Sequence, residues 1–368
     1  MSLIVFERVL THYRLNFYNY IVEKRGEEII FLTGKIVNKD GFHTQKKEAL
    51  FKVVEIPRIN ILGFEFYRWP LSLLKKGNVI ICVLSFVSIS NLIYLFIAKL
   101  RRAKFFWWGH TKNFSKSSKL ERLKDSIKLG MIKPSDGFLA YTEKEEEYLR
   151  KKKGFQKTKI IALNNTLNSD FIAIVQRSVT AKSINKIREE LNLKGNIVVG
   201  LIGRLHVLRN AELAIRAVLK ISESRPNVRL LLIGDGPEYN RLVNIYVSKP
   251  QIIFVGAIEE ERLLAPYMCN VDFFVNPGLV GLNLVHTMFY GKTTIVLDKS
   301  IHSPEIGYLL QGENGIIVDD NFNSFVSAIE RLIDDAPLRV RLGKNAYNYA
   351  MDKLSIDNMV NNFLEVKQ

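Results

Sequence analysis

The sequence predicts an α/β protein made of two doubly wound, Rossmann-like domains. Three observations carry this. Short apolar runs alternate with amphipathic ones along the chain. Gly, Pro or Asn closes many of the apolar runs, as turn residues do at strand ends. The chain has 368 residues, enough for two separate cores.

In the first half, Leu3 to Val9 reads as a strand, followed by HYRLNFYNYI on a helix from about Asn16. Ile29 to Thr33, closed by Gly34, and Leu50 to Ile56, closed by Pro57, read as further strands. Val79 to Ala98 is uncharged and of membrane-spanning length. Ser85, Ser88, Ser90 and Asn91 interrupt it, so it divides into a strand (Asn78 to Leu84), a turn and a helix (Ser90 to Arg102). Lys104 to Trp108 is the next strand. After a polar loop come a helix (Leu120 to Leu129), a strand (Asp136 to Tyr141), a charged helix (Glu143 to Lys153) and a strand (Ile160 to Leu163). Asn164-Asn165-Thr166 begins a linker.

The second half alternates more clearly. Its strands are Ile197 to Ile202, Val228 to Ile233, Ile252 to Val255, Phe273 to Asn276, Thr294 to Leu297 and Ile316 to Val318. Helices lie between these strands, and from Asn321 to Asp334 and Leu338 to Met351. The expected division is residues 1–170, residues 171–352, and a terminal amphipathic segment, 353–368, packing back on the first domain.

An apolar fraction of 47% with 24% charged residues describes a globular protein. Two cysteines, Cys82 and Cys269, give no disulfide framework or zinc site and fit a reducing cytoplasm. The opening MSLIVFERVL, broken by Glu7 and Arg8, does not read as a secretory leader. The net charge of +16 is uneven. Residues 1–170 carry 31 Lys and Arg against 16 Asp and Glu, a net of +15. A basic half calls for an acidic partner, such as an anionic membrane surface or a phosphate-bearing acceptor. Nucleic acid is disfavoured, because the basic residues do not alternate with aromatics at any motif spacing.

The chemistry-bearing residues fall at strand C-terminal ends, where ligands collect in such sheets. IVVGLIGRLHVLRNAELAIRA puts Gly203, Arg204 and Arg209 between a strand and a helix, as an anion site requires. Gly234-Asp235-Gly236-Pro237 is a tight turn beside it. Gly278, Gly281, Leu282, Asn283 and His286 form a glycine-rich strand-to-helix turn. Glu305 follows Ser303-Pro304 and offers a carboxylate to sugar hydroxyls. In the first domain, His110 follows Trp107-Trp108-Gly109, and Arg14 follows Tyr13. Each has a structural alternative: solvated arginines, a packed His286, an exposed loop Glu305, a loop-capping His110 and a surface Arg14.

Residues 197–350 resemble the donor-binding domain of the family 4 glycosyltransferases of GT-B fold. The matching motifs are GRLHVLRN, LLIGDGP, IFVG, the glycine-rich turn followed by YGKTTIV, and SPE with NGIIV. HYRLNFYNYI and WWGH extend the similarity over most of the chain. The resemblance implies two domains facing across a cleft. It implies sugar transfer from a UDP- or GDP-type nucleotide-sugar to a glycan or lipid-linked acceptor, in bacterial surface polysaccharide or lipopolysaccharide synthesis. It also implies retention at the anomeric carbon, no metal and no cofactor, and a place on the cytoplasmic face of the cell membrane. Arg204 and Arg209 would hold the diphosphate, Arg209 standing where a lysine is usual. His110 would lie near the donor sugar, and Arg14 on the acceptor side. Gly203, Gly278, Gly281, Leu282, Asn283, His286 and Glu305 would contact the donor.

One departure stands out. The family's paired glutamates, which contact donor sugar and ribose, would fall at Gly278 and His286. Competing readings are therefore a non-catalytic binding protein of the same fold and a sugar-nucleotide epimerase. A protein spanning the membrane at Val79 to Ala98 is the remaining alternative.

Overall fold

Strand order decides where a ligand can sit, and the two large sheets among the described residues are parallel throughout. The computed structural model describes residues 2–34, 48–85, 87–111, 119–299 and 302–368. The described residues before Ser169, with Ile356–Gln368, form one unit; Ser169–Ser355 form the other.

The first unit contains β1 (Leu3–Phe6), α1 (His12–Arg25), β2 (Ile29–Gly34), β3 (Lys52–Ile56), β4 (Arg58–Ile61), β5 (Phe64–Tyr67), β6 (Val79–Val83), α2 (Ser90–Leu100), β7 (Lys104–Gly109), α3 (Lys119–Ile132), β8 (Gly137–Ala140), α4 (Glu143–Arg150) and β9 (Lys159–Ala162). Its seven-stranded sheet runs β3-β2-β1-β6-β7-β8-β9. Strands β1 and β6 to β8 are buried on both faces, which is why their sequences are continuously apolar.

The second unit contains α5 (Ser169–Ser178), α6 (Ala181–Glu190), β10 (Ile197–Ile202), α7 (Ala211–Ser222), β11 (Val228–Ile233), α8 (Tyr239–Tyr246), β12 (Ile252–Gly256), α9 (Glu261–Asn270), β13 (Phe273–Asn276), α10 (Leu282–Phe289), β14 (Thr294–Leu297), β15 (Ile316–Val318), α11 (Phe322–Asp334) and α12 (Ala336–Lys353). Its sheet runs β12-β11-β10-β13-β14-β15. The chain then returns to the first unit as α13 (Ile356–Leu364). There Ile356, Met359, Val360 and Phe363 join the core with Leu3, Phe17 and Trp108.

The α/β class is the one expected, and so is the division of Val79 to Ala98; three details differ. Helix α1 begins at His12, four residues before Asn16, because extended Thr11 already supplies the carbonyl for the Leu15 N–H at 2.9 Å. The antiparallel hairpin β4–β5 lies within a stretch in which no strand was expected. Helices α5 and α6 occupy the stretch after Asn164-Asn165-Thr166 that reads as linker; the Thr180–Ser183 capping box starts α6. Val79 to Ala98 is a buried strand plus an 11-residue helix, not a span. Among the described residues no helix is long and apolar enough to cross a membrane.

Candidate functional site

In the second unit the chain begins at β10 in mid-sheet, moves outward through β11 and β12, then crosses back to β13. The order reverses between β10 and β13, and the loops leaving such neighbours diverge around a crevice at their C-terminal ends. Residues 203–210 and 277–281 are those two loops.

The first loop is shaped from the backbone up. Gly203 adopts φ +125 and donates its N–H to the Ile233 carbonyl at 2.9 Å. Leu205, fully buried, is pinned by its N–H to the Asp235 carbonyl at 2.8 Å. A short 3-10 turn, Val207–Arg209, ends at Asn210 in the left-handed region (φ +54), and α7 follows. This folds Arg209 back beneath Gly203. A β-carbon on Gly203 would lie 3.0 Å from Arg209 Nη2.

The second loop seats against the first. Leu279 N donates to the Leu208 carbonyl at 2.8 Å, and Arg209 Nη1 donates to the Leu279 carbonyl at 2.6 Å. Gly278 is the hinge of this contact. Its β-carbon would meet Leu208 O at 2.2 Å and the Arg209 carbonyl carbon at 2.4 Å. The expectation that Gly278 opens its backbone to a ligand is corrected here: its close approach is to the neighbouring loop. Gly281 differs, since the nearest atoms to its hypothetical β-carbon are Ser303 Oγ at 3.8 Å and Asn283 Oδ1 at 3.9 Å.

Arg209 is the electrostatic centre. It is 8% exposed, its Nε has no hydrogen-bond partner, and among the described residues no carboxylate pairs with it. Burial pushes its guanidinium down to about 10. A buried cation lacking an anion is expensive, and among the described residues this one is held by the Leu279 carbonyl. Arg204, by contrast, is exposed. It lines a cavity of about 440 Å³ with Gly203, Gly234, Asp235, Ile258 and Glu259. Both arginines lie close enough to His206 to help burial depress its imidazole pKa. The Gly-Asp-Gly turn therefore forms a wall of the crevice. A β-carbon at Gly236 would collide with Leu205 O at 2.3 Å, so the turn packs directly on the arginine loop.

At the start of α10, Asn283 Oδ1 accepts the Gly281 N–H at 3.0 Å, and Leu282 is the first helical residue. His302, which the sequence reading did not single out, braces this turn. Its Nδ1 accepts the Val280 N–H at 3.2 Å and its Nε2 donates to the Leu297 carbonyl at 2.7 Å. Burial lowers its pKa, so the neutral ring does both tasks. The available signal was its place just before Ser303-Pro304-Glu305. Glu305 is buried in the turn Pro304–Tyr308, not in an exposed loop. His286 donates no nitrogen to open space: Nε2 lies 3.0 Å from Glu261 Oε1 on α9. Tyr290 OH donates to the same oxygen at 2.6 Å. Burial alone would raise the Glu261 pKa, but these two partners and the His286 charge bring it below the usual value.

In the first unit, His110 directly follows β7, with its ring 5.8 Å from the Tyr141 ring. Burial, then nearby Lys128, pushes its imidazole down to about 4, so it is neutral at physiological pH. Beside it, Glu145 accepts Thr111 Oγ1 at 3.1 Å and Tyr141 N at 3.3 Å; burial lifts its carboxyl to about 7. Arg14 is corrected. It is 2% exposed, with its guanidinium carbon 3.7 Å above the Trp108 ring and Nε 3.6 Å from Glu7. Its Nη2 donates to Tyr141 OH at 3.3 Å, so it is a core residue and not the surface arginine that was the alternative. Among the described residues no three His, Cys, Asp or Glu side chains are grouped to hold a metal.

Residues 196–335 match the model of the family described as glycosyl transferases group 1. The match lies within the second unit. It is similar to the lipopolysaccharide core biosynthesis glycosyltransferase LpsE of Rhizobium meliloti, 26% identical over 174 residues, covering 46% of this chain and 49% of that protein. It is also similar to the capsular polysaccharide biosynthesis glycosyltransferase CapM of Staphylococcus aureus, 24% identical over 203 residues, 49% of this chain and 50% of that one. The chain thus spans about half the length of the curated relatives it matches. Its coordinates superpose on HepE of Anabaena in complex with UDP-glucose, with a TM-score of 0.70 at 16% identity over 99% of this chain and 98% of the other. The fold is GT-B.

Proposed function

We propose that this chain is a glycosyltransferase. It moves a sugar from a nucleotide-sugar, UDP- or GDP-type, to a glycan or lipid-linked acceptor in bacterial surface polysaccharide or lipopolysaccharide synthesis. The observation carrying this reading is the buried, anion-less Arg209 at the switch point, joined to the loop after β13. A diphosphate supplies the missing charge, and Arg204 on the crevice wall supplies a second guanidinium. As the anomeric carbon–oxygen bond breaks, negative charge gathers on the departing diphosphate. The two arginines stabilise it without a metal, while the acceptor hydroxyl adds to the anomeric carbon and its proton passes to the departing diphosphate oxygen. Neutral His110 is suited to a hydrogen bond with a sugar hydroxyl, because it stays uncharged across the physiological range. Gly203, Gly281, Leu282, Asn283 and Glu305 complete the donor side. Transfer proceeds with retention, and the protein works at the inner face of the cell membrane.

A thermal-shift panel of UDP-, GDP- and dTDP-sugars, followed by a transfer assay, tests this. A ligand that binds only the folded state raises its melting temperature. NMR of the product's anomeric proton decides retention. One observation favours a second reading: Gly278 is filled by a loop contact and His286 is committed to Glu261, where the family carries glutamates. A protein that binds the donor but never turns it over would be a non-catalytic binding protein.

A further inference from the structure

The β4–β5 hairpin is amphipathic with its faces reversed. The pairs Ile59↔Phe66 and Ile61↔Phe64 put four apolar residues on one face; Arg58↔Tyr67 and Asn60↔Glu65 occupy the other. On the charged face Glu65 and Tyr67 are buried and Arg58 is half-buried, while Asn60 at the distal end is exposed. Glu65, 3% exposed, accepts Arg58 Nη2 at 2.8 Å and Tyr67 OH at 2.6 Å, and Arg8 Nε lies 3.1 Å away. The apolar face is the exposed one: Ile59, Ile61 and Phe64 all stand in solvent. At the tip Leu62 is 95% exposed and holds φ +51, a conformation a leucine rarely adopts. Two-sided hairpins in water show the opposite arrangement.

The neighbouring helix repeats the pattern. Helix α2 packs on β5 through Ser90 Oγ, which accepts Tyr67 N at 2.9 Å, and Tyr94 OH, which donates to the Tyr67 carbonyl at 2.9 Å. Beside that contact Ile93, Phe96 and Leu100 are exposed, Leu100 by 84%, at the i, i+3, i+7 spacing of a single stripe. Arg101 Nη1 ties the helix end to the Leu71 carbonyl at 2.7 Å, and Leu71 is exposed too. The sequence that follows the hairpin through α2 carries charge of one sign. Between Glu65 and Glu121 the sequence has ten Lys and Arg and no Asp or Glu. Arg68, Lys75, Lys76, Lys99, Arg101 and Arg102 are exposed among them.

We propose that this hairpin and the outer stripe of α2 form a docking surface for an anionic lipid bilayer. Leu62 and its apolar neighbours enter the headgroup–acyl boundary, and the surrounding lysines and arginines sit on the phosphates. Exposed apolar residues ringed by one sign of charge match that boundary. A second copy fits poorly, because a two-fold contact would set the basic patch against itself. The inference rests on the membrane part of the proposed function and gives it a place on the chain.

The test is vesicle flotation of the full chain, with phosphatidylcholine alone and with about a third phosphatidylglycerol. Wild type is expected to float with the anionic vesicles at least about tenfold more than with neutral ones. Leu62→Glu with Phe96→Glu should lose that binding, and Lys75→Glu with Lys76→Glu should weaken it about tenfold or more. These sites are exposed, so circular dichroism and the nucleotide-induced thermal shift should match wild type. Anionic vesicles that fail to bind wild type, or bind both double variants equally well, overturn the surface. So does a concentration-dependent dimer that Leu62→Glu dissolves. Nucleotide binding with no flotation sinks the surface and leaves the transferase reading. Flotation with no nucleotide binding does the reverse.

Discussion

Arg209 Nη1 donates to the Leu279 carbonyl at 2.6 Å, and this bond joins the loop after β10 to the loop after β13. The guanidinium is buried, and among the described residues no carboxylate pairs with it; in the proposed function a diphosphate takes that place. Arg209→Met removes that desolvated charge at similar volume. Its melting temperature is expected to equal or exceed that of wild type, while the thermal shift given by the nucleotide disappears. A loss of several degrees with the nucleotide shift intact would make Arg209 a structural residue.

Two glycines of the same turn are expected to respond differently. Gly278→Ala pushes a methyl into the backbone of Leu208 and Arg209, which cannot yield like a side-chain tip. Urea denaturation should show a loss of about 1–3 kcal/mol. Gly281→Ala meets nothing closer than 3.8 Å. It should keep its stability and bind donor more weakly, since the methyl would stand where the donor approaches.

His286 and Glu261 form a half-buried pair on neighbouring helices, with Tyr290 on the same oxygen. His286→Ala leaves Glu261 with one partner fewer and should cost about 1–3 kcal/mol. Glu261→Gln with His286→Ala should cost less than the two single changes combined. Strict additivity in a denaturation cycle would show that the pair is not coupled.

The strands of the second unit were legible because each is an apolar run ended by a turn residue, and residues buried on both faces leave no other pattern. Gly203, Arg204 and Arg209 could be read for the same reason: a strand end, a short turn and a helix start within 20 residues or so. The hairpin was not legible, because Leu62-Gly63 is not a common hairpin turn and its apolar face looks outward. Arg14 was misread because nothing local shows that Trp108, almost a hundred positions on, covers it. The commitments of Gly278 to Leu208 and of His286 to Glu261 are likewise long-range contacts.

Glu145 gives a pH dependence with a definite sign. Its folded pKa, about 7, lies above the ordinary value of 4.5, because burial outweighs the Thr111 and Tyr141 hydrogen bonds. The folded state therefore binds the proton more tightly. The stability this contributes is complete below pH 4.5 and is lost as pH rises through 7, on the order of 3 kcal/mol at most. Melting temperature should fall over that window in wild type and fall less in Glu145→Gln. Equal slopes in the two proteins would contradict this.

The central claim is that Arg204 and Arg209 hold a nucleotide diphosphate at the β10–β13 switch point. Isothermal titration of UDP and GDP into wild type, Arg204→Ala and Arg209→Met measures it directly. The expected result is that one nucleotide binds wild type, with each substitution weakening it by about a hundredfold, the scale of one lost charge-assisted contact. Equal dissociation constants in all three proteins would contradict it.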